Sequence, residues 1–178
     1  MKNVFLFVGL SILVLSGCGN TSKEKDLAII NGLEGRLLSD SLHSPKPALI
    51  DSLLLEYGGF ALSYPEDSLS PLYLFKAGEL SLSTNQGQKA LGYFDQVVRN
   101  YPQHEKASFA LFMKGFVCDG PLKDTAKARQ FYTDFIQKYP QHPLVADAMF
   151  SVRNLGKSDE ELIREFEAKL DSSGQTIP

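Results

Sequence analysis

The stretch ALGYFDQVVRNYPQH at residues 90–104 is repeated in outline as ARQFYTDFIQKYPQH at residues 128–142. A shift of 38 residues places Ala90 on Ala128, Phe94 on Tyr132, and the string YPQH on itself. An earlier Tyr-Pro pair, at residues 64–65, lies 37 residues before the pair at 101–102. Repeats of this length indicate a stack of helical hairpins, because one hairpin alone is too small to bury its apolar face.

Helical periodicity runs through the chain between proline and glycine breaks, and we predict about eight helices. The expected segments are 26–39, 48–63, 69–83, 87–100, 105–118, 123–138, 143–155 and 159–170. Each Tyr-Pro pair is expected to end a helix, since proline disfavours helical backbone at the residue before it. Ser158 with Glu161 three residues later is a capping box for the last helix. Strand signals are nearly absent, so the predicted class is all-α.

Two segments carry the same order of residue types at matching intervals. The order is large apolar, small, alanine, aromatic, apolar and proline: Leu74, Gly78, Ala90, Phe94, Val97, Pro102, then Leu111, Gly115, Ala128, Tyr132, Phe135, Pro140. This order resembles the consensus of the tetratricopeptide repeat family. The resemblance implies a right-handed α-solenoid of antiparallel helix pairs over residues 26–170 that binds protein segments. Glycine would let two helices approach closely, while the aromatic ring fills the wedge between them.

The N-terminus has the features of an export signal. Lys2 precedes an apolar run of about 12 residues, Val4 to Leu15, which is too short to span a bilayer. The sequence Leu15-Ser16-Gly17-Cys18 that follows resembles the lipobox of bacterial lipoproteins. The resemblance implies that residues 1–17 are a removed signal peptide, that Cys18 carries a covalent lipid, and that residues 18–25 form a flexible tether. An ordinary signal with a chance cysteine is the alternative.

Gly19, rather than aspartate, follows Cys18, and among lipoproteins this favours the outer membrane, on its periplasmic side. The formal net charge of the 178 residues is −3, and no block of like charge is long. This composition argues against a nucleic-acid partner. No cofactor beyond the lipid is predicted.

The repeats exceed the usual family length and close with Tyr-Pro-x-His. In this they resemble the repeats of the D subunit of the outer-membrane β-barrel assembly machine and of the periplasmic coordinator associated with the Tol-Pal system. The resemblance implies a non-enzymatic scaffold that binds protein or peptide segments of envelope complexes, as an accessory in outer-membrane protein assembly. An adaptor for cell-wall or Tol-Pal machinery is the alternative.

The predicted helix 105–118 is apolar on two sides. Leu111, Gly115 and Cys118 form one side, and Phe109, Phe112 and Phe116 form the other. In the family, the first helix of each pair lines a concave groove, which implies a partner-binding groove of nine residues: Leu72, Phe75, Glu79, Phe109, Phe112, Phe116, Asp147, Phe150 and Asn154. Two arrangements stay open. Either these rings bind a partner, or a terminal helix folds over them, since a large exposed apolar patch is unusual.

Residues that often carry catalysis are isolated in this sequence. His43, His104 and His142 fall in the breaks, and the last two share a repeat position, where we expect them to cap turns. Cys118 has no Cys-x-x-Cys partner, so we expect a small core residue rather than a nucleophile. The sequence therefore predicts no catalytic residue and no metal site. Residues 171–178 are polar and are expected to form a disordered tail.

Overall fold

A computed structural model describes residues 18–39 and 46–173, and the described residues form eight helices. Their bounds are α1 Cys18–Ser39, α2 Pro47–Ser63, α3 Ser70–Ser83, α4 Gly87–Asn100, α5 Lys106–Asp119, α6 Thr125–Lys138, α7 Val145–Asn154 and α8 Asp159–Ser173. The helices from α1 to α7 pack consecutively, and α3 also packs against α5. The predicted all-α solenoid of paired helices is confirmed.

Three turns of one design separate the helix pairs. Counted from the tyrosine of the Tyr-Pro pair, the fourth residue of each turn is Asp67, His104 or His142. The backbone N–H of this residue donates to the tyrosine carbonyl at 3.0 Å in all three turns. The side chain of that residue then accepts a hydrogen bond from the backbone N–H two residues later. Nδ1 of His104 accepts from Lys106 at 3.1 Å, and Nδ1 of His142 accepts from Leu144 at 3.2 Å. The prediction that these histidines cap turns is confirmed.

The first turn uses aspartate in the same place. Oδ1 of Asp67 accepts from the N–H of Leu69 at 2.9 Å, which is the hydrogen bond that histidine accepts in the other two turns. Both residue types place an acceptor atom within reach of a backbone donor at the start of the next helix. The sequence comparison noted the Tyr-Pro pair here but did not identify Asp67 as the equivalent of the histidines.

Glycine at the helix crossings has the predicted role. A Cβ at Gly78 would lie 2.5 Å from the Phe94 ring, and a Cβ at Gly115 would lie 2.6 Å from the Tyr132 ring. Phe94 and Tyr132 are fully buried or nearly so. The aromatic rings therefore occupy the space that a side chain on the first helix would need. This contact fixes the spacing of α3 from α4 and of α5 from α6.

An ion pair between a buried lysine and a half-buried aspartate joins α4 to α5. Nζ of Lys114 lies 2.7 Å from Oδ1 of Asp95 and 4.2 Å from the centroid of the Phe131 ring, while Arg99 pairs with the other carboxylate oxygen at 2.5 Å. Lys114 itself is buried. Because a buried ammonium without its carboxylate is costly, this contact favours one register of α5 between α4 and α6.

The helix α1 begins at Cys18, so residues 18–25 are helical in the structure, where the sequence analysis expected a flexible tether. Lys23 forms an ion pair with Asp67, and the hydroxyl of Tyr64 donates to Asp26 at 2.7 Å. Farther along α1, Glu34 accepts from Tyr57 at 2.7 Å and from Lys76 at 2.8 Å. The helix α1 is thus held by polar contacts to α2, to the turn after it and to α3, in addition to its apolar packing.

The capping box of α8 is present. The N–H of Ser158 donates to Glu161 at 2.8 Å, and the N–H of Glu161 donates to the Ser158 hydroxyl at 3.2 Å. The helix continues to Ser173, so the first three residues of the expected tail are helical. The predicted signal peptide, residues 1–17, and the rest of the tail, residues 174–178, lie outside the described residues.

Candidate functional site

The nine predicted groove residues lie on α3, α5 and α7, the first helices of successive pairs. We call the side of the solenoid that they form the first-helix face. Three of its aromatic rings are open to solvent: Phe109 is 39% exposed, Phe116 47% and Phe150 58%. The face therefore presents aromatic surface on two successive first helices, α5 and α7.

Two of the predicted rings belong to the core instead. Phe75 is buried, and its ring centroid lies 5.4 Å from that of Phe94. Phe112, at the equivalent repeat position, is half-buried and lies 5.5 Å from the rings of both Tyr132 and Phe135. Both rings turn toward the second helix of their own pair, because the wedge at the helix crossing has room for a second aromatic ring. The expectation that they line an open groove needs this correction.

The other predicted residues differ in how accessible they are. Glu79 and Asp147 are exposed, and Leu72 is half-buried. Asn154 is half-buried, and its side-chain amide is already used. Nδ2 donates to the Phe150 carbonyl at 2.9 Å, and Oδ1 accepts from Lys157 at 3.2 Å. Asn154 therefore closes the end of α7, and its amide is not free for a partner.

Lys106 is a residue of this face that the sequence analysis missed. Its Nζ lies 5.3 Å from the centroid of Phe75 and 5.5 Å from that of Phe109, within cation–π range of both rings. Leucine occupies the equivalent positions, 69 and 144, in the neighbouring repeats. That difference between repeats was the available signal, and it marks the place where a cation bridges α3 and α5.

Charges near α3 affect the exposed carboxylate of this face. Partial desolvation raises the pKa of Glu79, while the positive charges of Lys106 and Lys76 act in the opposite direction. On the α5 side, the ring of Phe109 contacts the His142 ring edge-on, with centroids 4.7 Å apart. Lys106 thus lies beside the Phe109 ring and also acts on the Glu79 carboxylate.

The described helices do not cover the exposed rings. The helix α1 packs on α2, and its Glu34 accepts a hydrogen bond from Lys76 of α3. Lys157, which precedes α8, pairs with Glu165 at 2.7 Å. The exposed fractions of Phe109 and Phe116 show that the alternative of a terminal helix folded over them does not hold for the part of the chain described.

Three residues considered for catalysis, Cys118, His104 and His142, are either buried or occupied by backbone hydrogen bonds. Cys118 is fully buried, and burial raises the pKa of its thiol, which disfavours the thiolate that a nucleophile needs. His104 and His142 accept backbone hydrogen bonds, as described above, and His43 lies outside the described residues. Among residues 18–39 and 46–173, no three His, Cys, Asp or Glu side chains are grouped to hold a metal ion.

Comparison with known proteins agrees with an array of repeated helix pairs. Residues 73–104 and 109–142 match the family model described as Tetratricopeptide repeat, and these segments comprise most of α3 with α4 and of α5 with α6. A search of curated proteins gave no match. No described helix is long and apolar enough to cross a membrane. The chain therefore contains tetratricopeptide repeats, and its two central helix pairs are two of them.

Proposed function

We propose that this protein is a membrane-anchored, non-enzymatic scaffold of the bacterial envelope that docks a segment of a partner protein on its first-helix face. The observation that carries the proposal is the exposure of Phe109, Phe116 and Phe150 on successive first helices of a repeat array. Arrays of this kind typically act by presenting an extended binding surface, because each repeat adds a similar surface beside the last.

The chemistry of the face suits an amphipathic segment. Exposed aromatic rings supply apolar contact area at little cost in conformational entropy and often dominate binding energy. Glu79, Asp147 and Lys106 surround them with charges of both signs, which would fix the register of a bound segment. Phe75 and Phe112 support the face from below, since both pack against aromatic rings of the second helices.

The location is part of the proposal. A lipid on Cys18 would hold the array at a membrane, and the lipobox resemblance with Gly19 favours the outer one. There the scaffold would serve as an accessory in outer-membrane protein assembly. Work as an adaptor for cell-wall or Tol-Pal machinery is the alternative, and the partner that is captured decides between them.

Photocrosslinking in native membranes tests the proposal. A photoreactive residue at Phe116 is a sharper probe than one at Phe112, because the ring of Phe112 packs inside the protein. The matched control carries the same group at Gln130, an exposed residue of α6, a second helix. A Cys18→Ala variant is expected to lose both the lipid and the location. With the probe kept at position 116, Phe109→Ala with Phe150→Ala is expected to abolish capture without loss of helicity.

Each class of adduct has a meaning. Barrel-assembly subunits or nascent outer-membrane proteins captured from position 116, and not from 130, support the assembly role, while cell-wall or Tol-Pal proteins support the adaptor role. Capture that survives loss of both phenylalanines overturns the first-helix face as the docking site. An activity that disappears in Cys118→Ser would overturn the non-enzymatic role.

A further inference from the structure

The outward side of α2 is apolar and exposed. Leu62 is 84% exposed and Leu55 is 72% exposed, and the exposed Gly59 lies between them on the same side of the helix. We call these three residues the α2 outer face. The two leucines are seven residues apart, about 10 Å along the helix axis, so they form one stripe.

The corresponding positions on α4 and α6 are polar or lack a side chain. Shifts of 37 and then 38 residues place Leu62 on Arg99 and Gln137, Gly59 on Gln96 and Asp134, and Leu55 on Gly92 and Gln130. These residues of α4 and α6 are exposed as well. Among α2, α4 and α6, the apolar outer face is therefore specific to α2 and does not follow from the repeat design.

Internal packing does not explain the glycines of α2. A Cβ at Gly59 would meet nothing within 4 Å, and one at Gly58 would reach only the Tyr93 side chain, at 3.7 Å. Each glycine inside a helix costs about 1 kcal/mol relative to alanine. Because the glycines have no side chains, the helix surface beside the leucines is flat, and a flat apolar surface can contact it closely.

The N-terminal part of α1 lies at the Leu62 end of α2. Lys23 pairs with Asp67, and Asp26 accepts a hydrogen bond from Tyr64, directly after α2. Leu62, Pro65 and Asp67 line one cleft of about 650 Å³. Cys18 precedes Lys23 by five residues, which in a helix span about 7.5 Å. Cys18, the proposed lipid site, thus joins the fold near the Leu62 end of this surface.

We propose that the α2 outer face rests on the surface of the lipid bilayer, with Leu55 and Leu62 in its interfacial region. This inference depends on the membrane anchor proposed above. The anchor supplies the affinity, and the two leucines add apolar contact that fixes how the array lies on the membrane. Because α2 is a second helix, the first-helix face with its exposed rings then points away from the bilayer and stays open to a partner.

Site-directed fluorescence on the full chain, purified from bacterial membranes, tests the orientation. The protein carries Cys118→Ala and one added cysteine, Leu62→Cys, Leu55→Cys or the matched control Gln137→Cys. Each is labelled with an environment-sensitive dye and placed in phosphatidylethanolamine–phosphatidylglycerol vesicles with or without lipid-linked nitroxide quenchers. We expect a blue-shifted emission and nitroxide quenching at positions 55 and 62, and neither at 137.

The outcomes separate the inference from the anchor. Vesicle-bound protein whose dye at position 62 behaves like the dye at 137 overturns the inference and leaves the anchor standing. Dye at 62 that changes only when a partner protein is added makes this surface a protein interface, which also overturns the inference. The last control is the Cys118→Ala protein without an added cysteine. If this protein still takes up dye and fails to float with vesicles, Cys18 carries no lipid, and the proposed anchor is overturned.

Discussion

Gly115 and Tyr132 illustrate how strictly single residues are constrained at a helix crossing. Tyr132 is 1% exposed, so its ring has no free space into which it could move away from an added methyl group. The same contact recurs between Gly78 and Phe94. Only glycine fits these two positions, and the reason is the close approach of the helices rather than the backbone conformation.

Gly115→Ala is expected to lower the free energy of unfolding by about 1–3 kcal/mol, because the new Cβ overlaps a ring that cannot relax. The matched control is Gly92→Ala on α4, where a Cβ would meet nothing within 4 Å. There the higher helix propensity of alanine should stabilise the protein by about 0.5–1 kcal/mol. Urea unfolding followed by circular dichroism measures both. Equal effects at the two positions would contradict the packing argument.

Sequence reasoning at this scale found the residues that repeat and missed those that do not. The glycine–aromatic pairs and the turn histidines were predicted because the same residue types recur 37 or 38 residues apart. Asp67 and Lys106 replace the repeated residue type with another, so the alignment of repeats shows a difference there but not the contact that each residue makes. The roles of Phe75 and Phe112 depend on which way each ring turns, and spacing alone leaves that undecided.

At the scale of an element, α1 depends on carboxylates. Burial raises the pKa of Glu34, but hydrogen bonds from Lys76 and Tyr57 and the charge of Lys76 lower it more, so the net shift is downward. The hydrogen bond from Lys23 and the backbone donor of Leu69 likewise lower the pKa of Asp67. A lowered pKa in the folded state means that folding favours the ionised form. The stability these groups add is present above the ordinary carboxyl pKa and is lost as the pH falls through the folded values.

We therefore expect α1 to detach from α2 before the rest of the molecule unfolds as the pH falls below about 4. Amide exchange, corrected for intrinsic rates, should rise in residues 21–39 while α4 and α5 stay protected. Glu34→Gln cannot ionise, so it should weaken α1 protection already at neutral pH and flatten the acid response. Unchanged protection of α1 in that variant would show that its apolar contacts alone hold it.

The start of α1 was the largest difference between predicted and observed elements. Residues 19–25 are glycine, polar or charged, so they carry no helical apolar pattern. Within this segment Lys23 pairs with Asp67, a residue far away in the chain, and such a contact leaves no local pattern in the sequence. The other helix boundaries were predicted closely, because proline, glycine and capping residues act within a few positions of the helix end.

In the whole molecule, described contacts connect each helix mainly with its neighbours in the array. Buried side chains fall into three clusters that run from the α1–α2 region to the α5–α7 region. In such an array, stability is close to a sum of nearest-neighbour interfaces, so the ends open first.

Native-state hydrogen exchange should therefore show a gradient, with the greatest protection in α4 and α5 and the least in α1 and α8. Ser158→Ala removes half of the capping box and should lower the protection of α8, by about 1 kcal/mol, without affecting α3 to α6. Uniform protection across all eight helices, or a loss in the central pairs, would contradict the nearest-neighbour description.

The sequence by itself determined the helical class, the repeat length, the positions of the turns and the glycine–aromatic crossings. These features follow from interactions between residues close in the chain or repeated at a fixed interval, and both leave a pattern that can be read directly. Only the tertiary structure decided which phenylalanines are open, which carboxylates hold α1, and that the outer side of α2 exposes two leucines. Those properties depend on which surfaces meet after folding, and residues far apart in the chain make that choice together.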